Sequence, residues 1–427
     1  MTMPNAFSGA APIDPETAAM VARRDRLLGP AYRLFYDRPV HPVRGEGVWL
    51  YEADGSRLLD AYNNVVSVGH CHPRVVEAIC RQAALLNTHT RYLGDEVLEL
   101  GERLLATLPG HDYRIMFTCT GSEANDLAVR IARMATGRSG GLVTANAYHG
   151  VTQATAELSP SLGPDVERGP AIRAIAAPPF QGGTAFADAV TEGLCELERG
   201  GHQAAFLIAD TIFSSDGVIV DGAGFLASAA ERMRAAGGLF IADEVQAGFA
   251  RTGSHFWGFA RHGEAPDIVT MGKPMGNGHP IAAVAARADL LEAFGARTRY
   301  FNTFGGNPVS CASALAVLDV IEEEGLLANS ATRGTELRDG LTELARRDGR
   351  IGAVRGAGLF LAADIIDESG RPDPAGARWI VNALRERGVL ISVTGPSGHI
   401  LKIRPPLIMS ADEAALFLDT MEHVLGK

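Results

Sequence analysis

Short apolar runs alternate with amphipathic stretches through the middle of the chain. The apolar runs lie at 114–120, 141–146, 173–178, 204–210, 238–245 and 267–273. Helical periodicity separates them, with a helix predicted from Ser122 and others around 184–199 and 225–236. Runs without polar alternation are typical of strands covered on both faces. The pattern therefore predicts an α/β fold with a mainly parallel sheet flanked by helices, whose ligands bind at the carboxyl ends of the strands.

The pattern changes after about residue 311. A long helical stretch is followed by strand-like residues at 349–366, a helix at 377–388, strand-like runs at 388–393 and 399–407, and a final helix. The spacing of Ser410 and Glu413 is that of a capping box, which marks where the final helix begins. This order of elements predicts a second, smaller α+β domain.

The start of the chain contains a predicted hairpin. The segment "GVWLYEADGSRLLDAYN" has strand-like residues on both sides of a turn at Asp54 and Gly55. We expect residues 1–65 to pack with the small domain or against a partner subunit. The predicted division is thus an N-terminal segment at 1–65, a large domain at 66–315 and a small C-terminal domain at 316–427.

Composition and charge limit the classes of function that the chain can have. The chain has 427 residues, 46% hydrophobic and 21% charged, with a formal net charge of −11, which is typical of a globular protein and argues against nucleic-acid or anionic-membrane partners. Five cysteines without a CxxC pair indicate reduced thiols in a cytoplasm and no metal site. The first residues lack the pattern of a signal peptide, and no apolar run is long enough to span a membrane.

Two of the predicted strand ends carry groups suited to a phosphorylated heterocycle. In "TCTGSEAND", Gly121 and Ser122 lie between a strand and a helix, where free backbone N–H groups and the helix dipole favour a phosphate. The alternative is that Ser122 only caps the helix. In "NAYHG", Tyr148 and His149 follow a strand and could place an aromatic ring on a flat ligand, although packing is the commoner role of such a residue.

Two further strand ends carry an acid and an amine. Asp243 ends the apolar run of "FIADEVQAGF", and burying its carboxylate would be costly without a cation or several hydrogen-bond donors. A protonated pyridine nitrogen is one such cation. The alternative is that Asp243 only caps the next turn. Lys273 lies in "VTMGKPMGNGHP", where it is either a surface lysine or an amine able to form a Schiff base with an aldehyde. Together the four features describe a site for pyridoxal 5'-phosphate.

These residues resemble the class III, or ω-type, aminotransferase family of fold-type I pyridoxal-phosphate enzymes, from about residue 28 to 420. The stretch "LFIADEVQAGFARTGSHFWGFARHGEAPDIVTMGKPMGNGHPIAAV" is similar to the family signature through its cofactor lysine. The resemblance implies that Lys273 binds the cofactor aldehyde and moves the Cα proton, while Asp243 pairs with the pyridine nitrogen. It further implies the following cofactor contacts: Gln246 at the ring hydroxyl, Tyr148 on the ring, Gly121 and Ser122 at the phosphate, and Thr303 at the phosphate of a partner subunit.

Within the family, "YNNVVSVGHCHP", "LNTHTRYL" and "FNTFGGNPVSC" look closest to the ethanolamine-phosphate and phosphohydroxylysine phospho-lyases. The resemblance implies elimination of phosphate, with ammonia and an aldehyde, from a small phosphorylated amine such as phosphoethanolamine. The alternative is an ω-aminotransferase that moves the amine to pyruvate or another keto acid. The family resemblance also implies a homodimer with shared active sites and leaves open whether dimers pair into a tetramer.

Two departures from the family pattern bear on the substrate. Many class III aminotransferases have a carboxylate-binding Arg three residues before paired prolines, where "LKIRPP" has Lys402, with Arg404 directly before the prolines. Lysine lacks the bidentate fork of arginine, which favours a substrate without a carboxylate. Asp210 stands where the family usually has Glu. Candidate residues for substrate binding are Arg91, Arg33, Tyr36, Lys402 and Arg404.

Overall fold

The computed structural model describes residues 5–180, 184–220 and 224–426, within which the strands form three sheets. The strands are β1 Pro42–Glu46, β2 Trp49–Glu52, β3 Arg57–Asp60, β4 Tyr113–Thr118, β5 Gly140–Thr144, β6 Ile172–Ile175, β7 Ala204–Asp210, β8 Leu239–Asp243, β9 Ile268–Met271, β10 Ala282–Arg287, β11 Ile351–Ala357, β12 Phe360–Ile365, β13 Val389–Leu390, β14 Ser392–Thr394 and β15 Ile400–Ile403. The helices are α1 Pro15–Leu28, α2 Pro73–Leu85, α3 Asp95–Ala106, α4 Gly121–Thr136, α5 Gln153–Ala156, α6 Ala185–Arg199, α7 Phe225–Ala235, α8 Ala288–Arg297, α9 Pro308–Glu323, α10 Leu326–Arg347, α11 Pro374–Arg385 and α12 Ala411–Leu425.

The largest sheet has the order β4-β10-β9-β8-β7-β5-β6 in the described residues. Strand β10 is antiparallel to both of its neighbours, and all the other strands run in one direction. The predicted α/β fold with a mainly parallel sheet is confirmed. Strand β10 was missed because its sequence, "AAVAAR", is rich in alanine, which has a low strand propensity.

Helices cover both faces of this sheet. Ile208 and Ile241 pack on one face with apolar residues of α4 and α8, whereas Leu207 and Phe240 pack on the other with residues of α6 and α7. Neighbouring residues of a strand point to opposite faces, so both faces need an apolar cover. This burial explains the uninterrupted apolar runs of the sequence and leaves the strand ends as the places where polar groups gather.

The C-terminal part of the chain forms a separate antiparallel sheet of order β11-β12-β15-β14. The predicted strand-like run at 349–366 is a hairpin, in which β11 and β12 are joined through Gly358 in the left-handed region, at φ 51°. The run at 388–393 divides between two sheets, since β14 pairs with β15 while β13 pairs in parallel with β3.

The N-terminal strands form the third sheet, with the order β1-β2-β3-β13. Strands β2 and β3 are antiparallel around a turn in which Gly55 has φ 85°, as the Asp54 and Gly55 pair predicts. The β3–β13 pairing ties this segment to the C-terminal part of the chain. Among the described residues, no helix combines the length and apolar character needed to cross a membrane.

Two helix-interior glycines provide a matched test of packing between α10 and the β11–β12 hairpin. A Cβ at the buried Gly334 would overlap the backbone of Gly358, whereas a Cβ at the exposed Gly295 of α8 would meet nothing. We expect Gly334→Ala to lower the free energy of unfolding by about 1–3 kcal/mol, because neither backbone can move freely. Gly295→Ala should instead raise it by up to ~1 kcal/mol through helix propensity. Urea unfolding of both variants measures the difference, and equal midpoints would contradict the packing.

Candidate active site

The carboxyl ends of β4, β5, β7, β8 and β9 surround one cavity. Most of the cofactor-site residues predicted from the sequence lie on its wall. The lining residues are Gly121, Ser122, Asn125, Tyr148, His149, Gly150, Asp210, Asp243, Val245, Gln246 and Lys273. Four separate sequence motifs therefore meet at the sheet edge where the parallel-strand pattern predicts a ligand.

Lys273 follows β9 at the start of a short 3-10 turn. Its backbone is in the left-handed region, at φ 38°, which is costly for a residue with a side chain and indicates that the surrounding loop holds it there. Burial lowers the pKa of the amine, and the nearby Arg404 charge lowers it further. A larger neutral fraction makes this amine a better nucleophile and base than a surface lysine.

Asp243 ends β8 and is only 4% exposed, yet its carboxylate is well supplied with donors. Oδ2 accepts hydrogen bonds from Asn125 Nδ2 at 2.8 Å and from His149 Nδ1 at 2.7 Å, and Oδ1 accepts one from the Val245 N–H at 3.1 Å. Thr270 orients the Asn125 amide by donating to its Oδ1 at 2.6 Å. The carboxylate thus has three donors, and lone-pair capacity remains on Oδ1.

The N-terminus of α4 contributes the predicted phosphate seat. Thr120 is the N-cap, and its side chain and Glu123 form a reciprocal capping box. Ser122 is therefore not the cap, and its Oγ accepts instead from the Val151 N–H at 3.2 Å. Gly150 has φ 137°, and a Cβ there would come within 2.5 Å of Ser122 Oγ, so the loop can approach the helix only as glycine.

Tyr148 forms an exposed wall of the cavity. Its side chain is 38% exposed while the neighbouring His149 is buried against Asp243. Partial burial, and then the charge of Asp243, raises the pKa of the Tyr148 hydroxyl. The two adjacent residues thus have different roles: His149 supports the carboxylate, and Tyr148 presents its ring to the cavity.

Asp210 lies beside Asp243, since the two residues are register partners of β7 and β8. Its carboxylate accepts from the N–H groups of Ile212 at 3.1 Å and Ser214 at 2.9 Å. Burial, followed by the charge of Asp243, raises its pKa. Asp210 therefore anchors the loop that follows β7.

Two buried cations of the C-terminal part adjoin the cavity. Arg404 Nη1 donates to Gln246 Oε1 at 2.6 Å, and the guanidinium lies 4.7 Å from the centre of the Tyr62 ring. Lys402, on β15, is buried but forms no hydrogen bond or ion pair through its amine with any residue that the structure describes. Burial and then the Arg404 charge place its pKa well below the usual value.

The other predicted site residues lie away from this cavity. Arg91 is exposed with its guanidinium 3.8 Å from the centre of the Phe301 ring, and Thr303 is exposed on the same loop as Phe301. Arg33 is exposed, and the buried Tyr36 donates its hydroxyl to the Ile391 carbonyl at 3.0 Å.

Sequence reasoning missed Asn125, which joins Asp243, His149 and Thr270. The available signal was its position four residues after Gly121, one helical turn along the face that begins at the phosphate seat. A polar residue on the sheet-facing side of a buried helix requires partners, and the strand-end acid is one.

The cavity has the groups that pyridoxal phosphate requires. Oδ1 of Asp243 has capacity for a pyridinium N–H, the α4 N-terminus with Gly121 and Ser122 suits the phosphate, and Lys273 supplies the amine. A Cβ at Gly121 would press on the Val245 methyl groups at 3.0 Å, so glycine keeps this end open. The predicted cofactor therefore fits the residues present.

Removing Asn125 tests the support of Asp243. Asn125→Ala deletes a donor to Oδ2 and leaves buried groups unpaired, so we expect pyridoxal phosphate to bind about 5–150-fold more weakly. Fluorescence titration of the cofactor-free protein measures this affinity. Asn382→Ala is the matched control, because Asn382 accepts from the distant Asp37 N–H at 2.7 Å. Equal cofactor affinity in both variants would contradict the role of Asn125.

Comparison with known proteins agrees with this geometry. The family "Aminotransferase class-III" matches residues 35–425. A solved phospholyase from Arthrobacter in complex with phosphoethanolamine is 43% identical, with a TM-score of 0.92, over 96% of this chain and 99% of that chain. An "Alanine--glyoxylate aminotransferase 2-like" protein of Drosophila melanogaster is 40% identical over 92% of this chain and 84% of its own length. The "Ethanolamine-phosphate phospho-lyase homolog 1" of Caenorhabditis elegans is 36% identical over 95% and 93%. The predicted resemblance is confirmed: the chain belongs to the class III aminotransferase family of pyridoxal-phosphate-dependent enzymes.

Proposed function

We propose that the protein is a pyridoxal-phosphate-dependent phospho-lyase that acts on a small phosphorylated amine such as phosphoethanolamine. The carrying observation is Lys402: a buried amine with Lys273 and Asp210 as electrostatic neighbours, without a hydrogen bond or ion pair among the described residues, at the position where the family pattern expects a carboxylate-binding Arg. Charging a buried amine without a paired anion is costly, and an anionic substrate group would stabilise its ammonium form. The phosphoethanolamine complex of the Arthrobacter relative supports phosphate as that group.

The overall reaction would convert phosphoethanolamine and water to acetaldehyde, ammonia and phosphate. Pyridoxal phosphate, when bound, supplies an electron sink for the pair left on Cα after its proton is removed. Lys273 takes that proton, and the C–O bond at Cβ then breaks with its electron pair leaving on phosphate. Lys402 would hold the phosphate and balance its charge, and Asp243 would hold the cofactor by accepting from its ring nitrogen.

Transamination is the competing outcome, and the named aminotransferase relative of Drosophila is the observation in its favour. Both reactions begin when Lys273 moves the Cα proton. They diverge afterwards, because transamination returns a proton to the cofactor carbon whereas elimination expels the group at Cβ. Which reaction follows thus depends on whether the site binds a leaving group at Cβ. We propose that Lys402 binds that group.

An assay without a keto acid separates the two reactions. We expect the purified holoenzyme, given phosphoethanolamine alone, to release phosphate and acetaldehyde in equal amounts over many turnovers, because elimination regenerates the cofactor aldehyde. Colorimetric phosphate and coupled aldehyde assays measure both products. The absence of phosphate, together with alanine formation from pyruvate and an amine, would overturn the phospho-lyase proposal.

We infer that the enzyme works as a homodimer with shared active sites. Leu93 is 99% exposed in the single chain and Phe304 is 68% exposed, and their two segments meet where Arg91 lies over the Phe301 ring. Large exposed apolar side chains in one region are typical of an interface. Arg91 lies within the same region, and its position outside the cavity of its own chain agrees with a role in the partner's site.

The protein is also proposed to be cytoplasmic, and the five cysteines, which are free thiols in the structure, support this location.

Mixing two defective subunits tests this arrangement. Lys273→Ala removes the reacting amine, and Arg91→Ala removes the proposed substrate contact in trans. A mixed dimer would contain one site with both residues intact, so at equal proportions we expect about a quarter of the wild-type activity after subunit exchange. Phosphate release at low phosphoethanolamine measures it, with each variant alone as the control. Activity no greater than the sum of the separate variants would contradict a shared site.

A further inference from the structure

Arg404 adjoins the cavity, and one nitrogen of its guanidinium is engaged by a side chain of the cavity wall. Its Nη1 donates to Gln246 Oε1 at 2.6 Å, and its plane lies 4.7 Å from the Tyr62 ring centre and 5.4 Å from that of Phe360. The side chain is only 6% exposed. One nitrogen of the Arg404 fork is therefore committed to Gln246, while its Nε is buried without a hydrogen-bond partner among the described residues.

The Gln246 amide has one orientation that satisfies its neighbours. Its Oε1 accepts from Arg404 and, at 3.4 Å, from Asn64 Nδ2, while its Nε2 donates to Ser214 Oγ at 3.0 Å. Turning the amide over would place its NH₂ group against two donors. Since one Nε2 hydrogen goes to Ser214, the other is available to a ligand in the cavity that Gln246 lines.

The partners of Gln246 are themselves anchored. The Ser214 N–H donates to Asp210 Oδ2 at 2.9 Å, and the Ser214 carbonyl accepts from Thr394 Oγ1 at 2.7 Å. Asn64 also donates to the Gln246 carbonyl at 3.0 Å. Both the oxygen and the nitrogen of the Gln246 amide are thus held by hydrogen bonds. Arg404 supplies the charged donor that determines which end of the amide is the oxygen.

We propose that Arg404 is a positioning residue for the cofactor, which holds the Gln246 amide so that its free N–H donates to the ring oxygen of pyridoxal phosphate. An N–H donor favours the deprotonated form of that oxygen, whereas an amide oxygen in its place would favour the protonated form. This role depends on the proposed function only in that both assume pyridoxal phosphate as the cofactor. It is distinct from the substrate-binding role that the sequence predicts for Arg404 and for Lys402.

The charges near Arg404 agree with a role on the cofactor side. Its charge contributes to the lowered pKa of Lys273, after the larger effect of burial. The titratable groups that interact with it are Lys273, Lys402, Arg251, Asp210, Asp60 and Tyr62. Replacing Arg404 therefore changes a local charge as well as a hydrogen bond, and the test must separate the two effects.

A double-mutant cycle between Arg404→Met and Gln246→Ala provides this separation. The readouts are the affinity for pyridoxal phosphate and the pH dependence of the absorbance of the holoenzyme, both without substrate. We expect Arg404→Met to weaken cofactor binding about tenfold, the effect of one charge-assisted hydrogen bond, and to shift the absorbance midpoint to higher pH. In the Gln246→Ala background the same replacement should change the affinity less than about twofold.

Two further variants complete the test. Gln246→Glu keeps an acceptor for Arg404 but removes the donor, so it should shift the absorbance midpoint as Arg404→Met does, even if Arg404→Met folds poorly. Lys402→Met removes the other buried cation and should raise the KM for phosphoethanolamine while cofactor affinity stays within about twofold. Equal effects of Arg404→Met in both Gln246 backgrounds, or an effect confined to KM, would overturn the proposal. Because the cofactor titrations contain no phosphorylated amine, they remain decisive if the elimination assay fails.

Discussion

The active site depends on a carboxylate that is buried at the end of a strand and supplied with several hydrogen-bond donors. Burial of Asp243 would be prohibitive alone, and the donors from Asn125, His149 and the Val245 backbone compensate for the lost water. These donors come from α4, the loop after β5 and the chain just past β8. The carboxylate therefore fixes the relative positions of three strand ends, and the cavity between them follows from that arrangement.

The C-terminal sheet completes the site through the loop that follows β7. Arg355 of β11 donates to the Gly217 carbonyl through Nε at 3.1 Å and Nη2 at 2.6 Å, and Thr394 of β14 donates to the Ser214 carbonyl. The same loop is held to the large sheet by Asp210. The loop thus joins β11 and β14 of the C-terminal sheet to the large sheet, beside the direct hydrogen bond from Arg404 to Gln246.

Much of this arrangement could be predicted from the sequence, because strands buried on both faces leave long apolar runs and their ends expose the polar residues that matter. Three features could not. Strand β10 is hidden by its alanines, whose strand propensity is low. The role of Asn125 depends on which face of α4 meets the sheet. The link from Arg404 to Gln246 joins residues 158 positions apart, and local patterns do not contain such pairings.

In the proposed reaction, proton removal by Lys273 is followed by loss of phosphate from Cβ. A single turnover tests it most directly: enzyme in excess over phosphoethanolamine, with phosphate release and the form of the cofactor followed together by rapid quench. We expect one phosphate to be released for each amine consumed, with the cofactor recovered as its aldehyde. Conversion of the cofactor to its amine without release of phosphate would contradict it.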